Sequence, residues 1–107
     1  MLEAARKLPE FEESTSYGTP AIKVRGRLVA RLWEDGETLV VKVDFYERQM
    51  YLDANPDVYY ITDHYRDYPA MLIHLSKIQA DELAERLEDA WLMMAPKQLR
   101  SKFEAAS

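Results

Sequence analysis

Cysteine is absent from the 107 residues. That absence removes disulfides, thiolate nucleophiles and cysteine-ligated zinc or iron–sulfur centres together. Long apolar runs are missing too. No window approaches the ~18 consecutive apolar residues of a spanning helix, and the opening stretch MLEAARKLPEFEE carries acids too early for a signal peptide or an anchor. No repeat, low-complexity segment or linker interrupts the chain. Histidine is scarce: there are two, and both fall within TDHYRDYPAMLIHLS, residues 62–76. These lacks predict a cytoplasmic protein with no membrane segment, residues 1–107 forming one domain around one core.

What is present fits a soluble globular chain: 48% of residues are hydrophobic and 31% charged, both ordinary values. The net charge of −5 opposes nonspecific attraction to nucleic acid or anionic lipid, although a local basic face is compatible with an acidic total.

The clearest structural signal is LVARLWEDGETLVVKVD, two alternating runs around Asp35–Gly36, which predicts a hairpin with a two-residue turn. That register sets Leu32 opposite Leu39, Arg31 opposite Val40 and Ala30 opposite Val41. It sorts Leu28, Ala30, Leu32, Leu39, Val41 and Val43 onto one face and Val29, Arg31, Trp33, Thr38, Val40 and Lys42 onto the other. Upstream, AIKVRGRL adds a strand through a turn at Gly26 of two or three residues. A short strand is expected around residues 15–17, and a short helix over residues 2–8. DFYERQMYLDANP predicts a helix with Asp44 as N-cap and Glu47 as its capping-box partner. DVYYIT and AMLIHLS predict a second hairpin, with Tyr60 opposite Ile73 and Tyr59 opposite His74. ADELAERLEDAWLMMA is the strongest helix, with Leu83, Leu87, Ala90, Trp91 and Met94 on one face and a Glu82–Arg86 pair on the wet side. A final helix follows Pro96. The fold class is therefore α+β: a mostly antiparallel sheet of about five strands, with helices packed on one face and the other face open. Leu28, Leu32, Leu39, Val41, Leu83, Leu87 and Trp91 are expected to share the core.

Few residue patterns suggest chemistry. Asp63 and His64 are adjacent, and neighbours on extended backbone point to opposite faces, so they make a poor dyad. None of the serines has a nucleophile-elbow context. In the predicted register His64 and His74 lie about 16 Å apart, too far to share a metal ion. Glu10, Glu12 and Glu13 lack the fixed carboxylate spacing of a cation loop. The open sheet face gathers more: Lys23, Arg25 or Arg27, Arg31, Trp33 and Lys42, joined by Tyr59 and His74. Guanidinium and indole groups suit anions and flat rings, against the plainer alternative of long side chains lying over Val29 and Val40. Beside this face, His64, Tyr65, Arg66, Tyr68 and Pro69 sit in the polar loop.

Three segments, LPEFEESTSYGTPAIKVRGRLVARLWEDGETLVVKVD, NPDVYYITDHYRDYPAMLIHLS and DELAERLEDAWLMMAPKQL, taken in order over residues 8–99, resemble the MmcQ/YjbR-like family of small bacterial proteins. The resemblance implies a compact α+β domain of the frataxin/CyaY-like type. It also implies a likeness to the double-wing DNA-binding domain of a phage transcription factor. It carries no catalytic residues. Fold analogy does not transfer frataxin's iron chemistry, and the open face is basic. The expected function is a non-enzymatic binding module acting through the open sheet face and the 62–70 loop, with no cofactor and no metal. Its partner would be a protein or a small anionic or planar ligand. Double-wing DNA binding is the alternative, disfavoured by net charge.

Overall fold

The computed structural model describes residues 8–16 and 18–106. Six strands form one antiparallel sheet: β1 (Phe11–Ser16), β2 (Thr19–Val24), β3 (Arg27–Leu32), β4 (Thr38–Lys42), β5 (Tyr59–Tyr60) and β6 (Ala70–His74). Their spatial order is β1-β2-β3-β4-β6-β5. Helix α1 (Phe45–Ala54) links β4 to β5, and α2 (Ala80–Met94) and α3 (Lys97–Ala106) close the chain. The α+β class holds, with six strands where about five were expected. The helix expected over residues 2–8 lies outside the described residues except for Leu8, which is buried.

The β3–β4 register is as the alternation demands, Ala30 opposite Val41, Arg31 opposite Val40 and Leu32 opposite Leu39. The turn between them differs. Gly36 N donates to Trp33 O at 3.0 Å and Trp33 N donates to Thr38 O at 2.8 Å, so the connection holds four residues. Only Gly36 among them has positive φ, at 70°. A primed two-residue turn needs left-handed backbone at both central positions. An even-numbered loop keeps the same partners opposite each other, which is why the register survives the change. The primed turn occurs one hairpin earlier, where Arg25 (φ 50°) and Gly26 (φ 80°) join β2 to β3 with Val24 opposite Arg27.

Strand β3 contains a bulge that the alternation does not reveal. Ile22 pairs with Ala30 and Lys23 with Leu28, leaving Val29 as the extra residue. A bulge reverses the facing of everything beyond it. Leu28, expected in the core, therefore lies on the open face with Lys23. Val29, expected on the open face, is fully buried with the helix-side core. Arg27 turns to the helix side, where its Nη1 lies 3.5 Å from Met94 O.

The helix-side core joins Ile22, Val24, Ala30, Leu39, Val41, Met71 and Ile73 from the sheet to Leu87, Ala90 and Trp91 of α2. Fully burying one such large side chain is worth roughly 1.5–3 kcal/mol. Trp91 has no exposed surface, and its indole N–H donates to Pro9 O at 3.0 Å. Leu83 packs against this core, but Leu28 and Leu32 are not part of it. Arg86, expected in a wet-side pair with Glu82, instead lies over the Tyr51 ring at 4.4 Å and bonds Glu85 at 3.4 Å and Asp89 at 3.3 Å.

The β5–β6 register is one residue away from expectation: Tyr59 faces Ile73, and Tyr60 faces Leu72. One residue of slip exchanges the faces of a strand. Tyr59 is accordingly in the core beside Tyr51, ring centroids 5.2 Å apart, and burial pushes its phenol up to about 12. Tyr60 takes the open face and stacks on His74 at 4.2 Å. The nine-residue connection 61–69 does not dictate register as a two-residue turn does. The burial of Val58 and Tyr59 decides it.

Candidate functional site

The open face is not simply solvated. Val40, Ala70 and Leu72 are buried there, with Trp33, Tyr60 and Tyr65 packed against them. The cover is the 61–69 connection, which folds back over the sheet. Its backbone descends through a 3₁₀ turn at Asp63–Tyr65, with Tyr65 N on Thr62 O, Arg66 N on Asp63 O and Tyr68 N on Tyr65 O. Pro69 then leads into β6, and its carbonyl accepts from Val43 N at 3.0 Å.

One side chain from elsewhere in the chain holds this path. Arg48 is 9% exposed, on the inner side of α1. Its Nη1 donates to Tyr65 O (2.9 Å), Tyr68 O (2.8 Å) and Ala70 O (3.2 Å), and its Nη2 donates to Arg66 O (2.8 Å). A planar guanidinium can satisfy several carbonyls at once, where an ammonium acts as a single point. Helix α1 is fixed in turn by Asp44, whose carboxylate accepts from Tyr46 N at 2.8 Å. Arg48 is the functional residue that the sequence reading missed. The available signal was an arginine on the same helix face as Tyr51 and Leu52, since a buried cation requires acceptors.

With its backbone held, the connection turns three rings toward the sheet. The centroid of His64 lies 4.8 Å from Tyr65 and 5.9 Å from Tyr68, and Tyr65 lies 6.4 Å from Trp33. Between the rings and the strands is a groove of about 330 Å³ lined by Leu28, Val29, Val40 and Ala70, by Arg31 and Lys42, and by His64, Tyr65 and Tyr68. A neighbouring hollow of about 320 Å³ lies around Arg31, Trp33, Glu34, Thr62, His64 and Tyr65.

Of the candidate residues, the fold thus gathers Arg31, Lys42, His64, Tyr65 and Tyr68 in one groove, with Trp33 at its edge. It separates the others. Arg25 sits in the β2–β3 turn, bonded to both carboxylate oxygens of Glu10 at 2.8 and 2.9 Å. Lys23 lies opposite Glu12 and Leu28, outside the groove lining. Arg66 points outward and pairs with Asp63 at 2.6 Å. His74 stacks on Tyr60 rather than meeting His64. Tyr59 is in the core. The N-terminal acids have structural uses: Glu10 holds Arg25, whose pairing keeps its carboxyl below the ordinary range, and Glu12 accepts from Gly26 N at 3.3 Å.

Among the described residues no helix is long and apolar enough to cross a membrane. The crystal structure of Deinococcus radiodurans protein DR2400, with domain DUF419, superposes with a TM-score of 0.76 over 95% of this chain and 83% of that one, at 21% identity. At that identity the likeness speaks for the fold. An uncharacterized protein of Mycobacterium tuberculosis is 48% identical over 52 residues, 49% of this chain and 40% of that protein. An uncharacterized protein of Mycobacterium bovis matches to the same extent. The matched stretch therefore spans less than half the length of these relatives. The YjbR family model matches residues 6–93, and with most of the sequence inside that match, the chain belongs to the YjbR family.

Proposed function

We propose that this YjbR-family domain is a non-enzymatic binding module whose site is the groove between the open sheet face and the 61–69 connection, and that its partner is a small molecule. The observation that carries the reading is the sign of the groove. In a chain of net charge −5, the lining contains two cations, three rings and an aliphatic floor but no carboxylate. Concave, largely apolar sites with a few convergent polar groups are the usual form of small-molecule sites. The same lining supports a non-catalytic role. It includes no serine, threonine or acid to act as nucleophile or to orient His64 as a base.

A thermal-shift screen of metabolites tests the proposal. A ligand at ~100 times its dissociation constant stabilises by about 2.7 kcal/mol, and chemical-shift changes at His64, Tyr65 and Tyr68 would locate it. Hits whose binding survives the double substitution Tyr65→Ala and Tyr68→Ala would put the site elsewhere and sink the reading.

The double-wing likeness supports a second reading, DNA binding, in that Lys23, Arg31 and Lys42 share one sheet face. The exposed Glu34, Asp35 and Glu37 at the β3–β4 tip weigh against it, because a wing tip must approach phosphate.

A further inference from the structure

The geometry points to a planar organic anion as the ligand of the groove: one ring or two fused rings bearing a single carboxylate or similarly small acidic group. The inference rests on the groove being the binding site and adds the charge and shape of what enters it.

The charge follows from what faces the groove and what does not. Arg31 and Lys42 line it without a carboxylate. The cavity on the helix side, which shares Lys42 with the groove, offers a contrast: its lining sets Arg86 and Arg100 among the acids Asp44, Glu47 and Asp89, and Arg86 pairs with Asp89 at 3.3 Å. Within the groove Arg31 is already engaged, its Nη1 3.3 Å from Thr19 Oγ1 and 3.9 Å from Glu34. It contributes field more than a free donor. Lys42 makes no ion pair with any described carboxylate, so its ammonium is the group that can meet an incoming acid. Two like charges at close range also repel a cationic ligand.

The shape follows from the walls. Leu28, Val40 and Ala70 form an aliphatic floor across adjacent strands. Tyr65 meets His64 edge-on at 84°, while Tyr68 lies within 30° of the His64 plane. Rings set at both inclinations offer an edge and a face to a flat guest. About 330 Å³ is near the lower end of the roughly 300–1,000 Å³ typical of small-molecule sites, which favours one or two rings over a larger cofactor.

Four probes separate the components: naphthoate, its neutral amide, the corresponding naphthylmethyl amine, and octanoate as an acid without a ring. Each is titrated into isotope-labelled full-length protein, with the ring resonances of His64, Tyr65 and Tyr68 reporting both location and affinity. Naphthoate is expected to bind about tenfold tighter than the amide, the effect of one modest charged contact, and about tenfold tighter than octanoate, the effect of ring-on-ring contact, and the amine least. Lys42→Gln should remove the advantage of naphthoate over the amide, with a dispersed native spectrum showing that the variant is folded; Lys42→Arg should restore it. If the amide or amine equals naphthoate, the anionic part is wrong; if octanoate does, the planar part is wrong. In both cases shifts at the three rings leave the groove itself standing as the site. Probes that bind only elsewhere, or not at all at millimolar concentration, overturn the inference and the groove together.

Discussion

Two loops shape the open face of this sheet, and they are built on different plans. The β3–β4 loop, residues 34–37, is held from within. Asp35 Oδ1 accepts from Glu37 N at 2.9 Å and Thr38 N at 3.0 Å, and Oδ2 accepts from Thr38 Oγ1 at 2.8 Å. The β5–β6 connection, residues 61–69, is held from outside by Arg48, which is 17 to 22 residues away in sequence from the carbonyls it binds. A self-contained loop closes on contacts only a few residues apart. A loop held at a distance needs α1 docked before its carbonyls have a partner. The difference has a functional side. The self-contained loop presents Glu34, Asp35 and Glu37 to solvent, whereas the remotely held one is free to turn its rings toward the sheet.

Breaking the remote tie should have the largest effect. Arg48→Ala removes one buried guanidinium from four carbonyls, and the expected loss is about 2–4 kcal/mol, given the cost of buried unsatisfied groups. Arg48→Lys should recover only part of it, because an ammonium cannot span carbonyls on both edges of a fork. Denaturant midpoints measure the loss, and amide exchange should show it concentrated in residues 62–70. A change below about 0.5 kcal/mol would mean that the connection holds itself.

The self-contained loop should break more gently and locally. Asp35→Ala removes three short-range bonds and should loosen the hairpin without disturbing residues 62–70. Acid offers the same test without mutation. The bonds from Glu37 N and Thr38 hold the Asp35 carboxyl below its ordinary value of 3.8. Its contribution is therefore complete above the ordinary carboxylate range and is lost as pH falls through the lowered, folded value. The Thr38 amide shift should titrate with a midpoint below 3.8. A midpoint at or above it would show that the three bonds do not favour the ionised form.

Sequence reading fared well where structure is local and poorly where it is not. The β3–β4 partners followed from alternation and survived a change of turn type. The Asp44 cap and the buried face of α2 followed from spacing. The bulge at Val29 left no mark, because Leu28, Val29 and Ala30 are all apolar and no polar residue reveals the reversal. Leu28 was thus assigned to the core, although it floors the groove. The β5–β6 slip escaped because Tyr59 and Tyr60 are identical, so either could be the buried one. Arg48 escaped because its partners are backbone carbonyls, which carry no residue identity. At the site, Arg31, Lys42, His64, Tyr65 and Tyr68 were named as members of a face and a loop. That the loop folds back onto that face is a tertiary fact, set by Arg48.

Side chains and backbone of the remotely held loop should separate cleanly. Replacing Tyr65, Arg66 and Tyr68 together by alanine leaves the Arg48 bonds in place, since all four go to backbone oxygens. Tyr68 is 55% exposed and Arg66 points outward, so stability should stay within about 1 kcal/mol while ligand binding is lost. Unfolding of the triple variant would mean that the rings, and Tyr65 above all, help to hold the loop, and would merge the two roles.

The smallest expected effect is a null one, and it sets the two loops against the DNA-binding alternative. A double-wing mode would lay the β3–β4 hairpin along a phosphate backbone, with Arg31 and Lys42 following. Each phosphate neutralised should add ~0.9 to the slope of log affinity against log salt. Three or four contacts would therefore weaken binding by roughly fortyfold to a hundred-and-fiftyfold between 50 and 200 mM salt. The tip of that hairpin carries three acids. The cations nearest it are recessed: Arg31 has a side chain only 12% exposed, and Lys42 is at the far end of β4. Acids thus reach the backbone first, in a molecule whose net charge of −5 already opposes the approach. Duplex binding at physiological salt should be no tighter than about 10⁻⁵ M, the nonspecific range, and Arg31→Glu should leave it unchanged. Anisotropy titrations showing submicromolar, salt-dependent binding that Arg31→Glu removes would reverse the comparison, making the self-contained loop the working one and the groove beside it incidental.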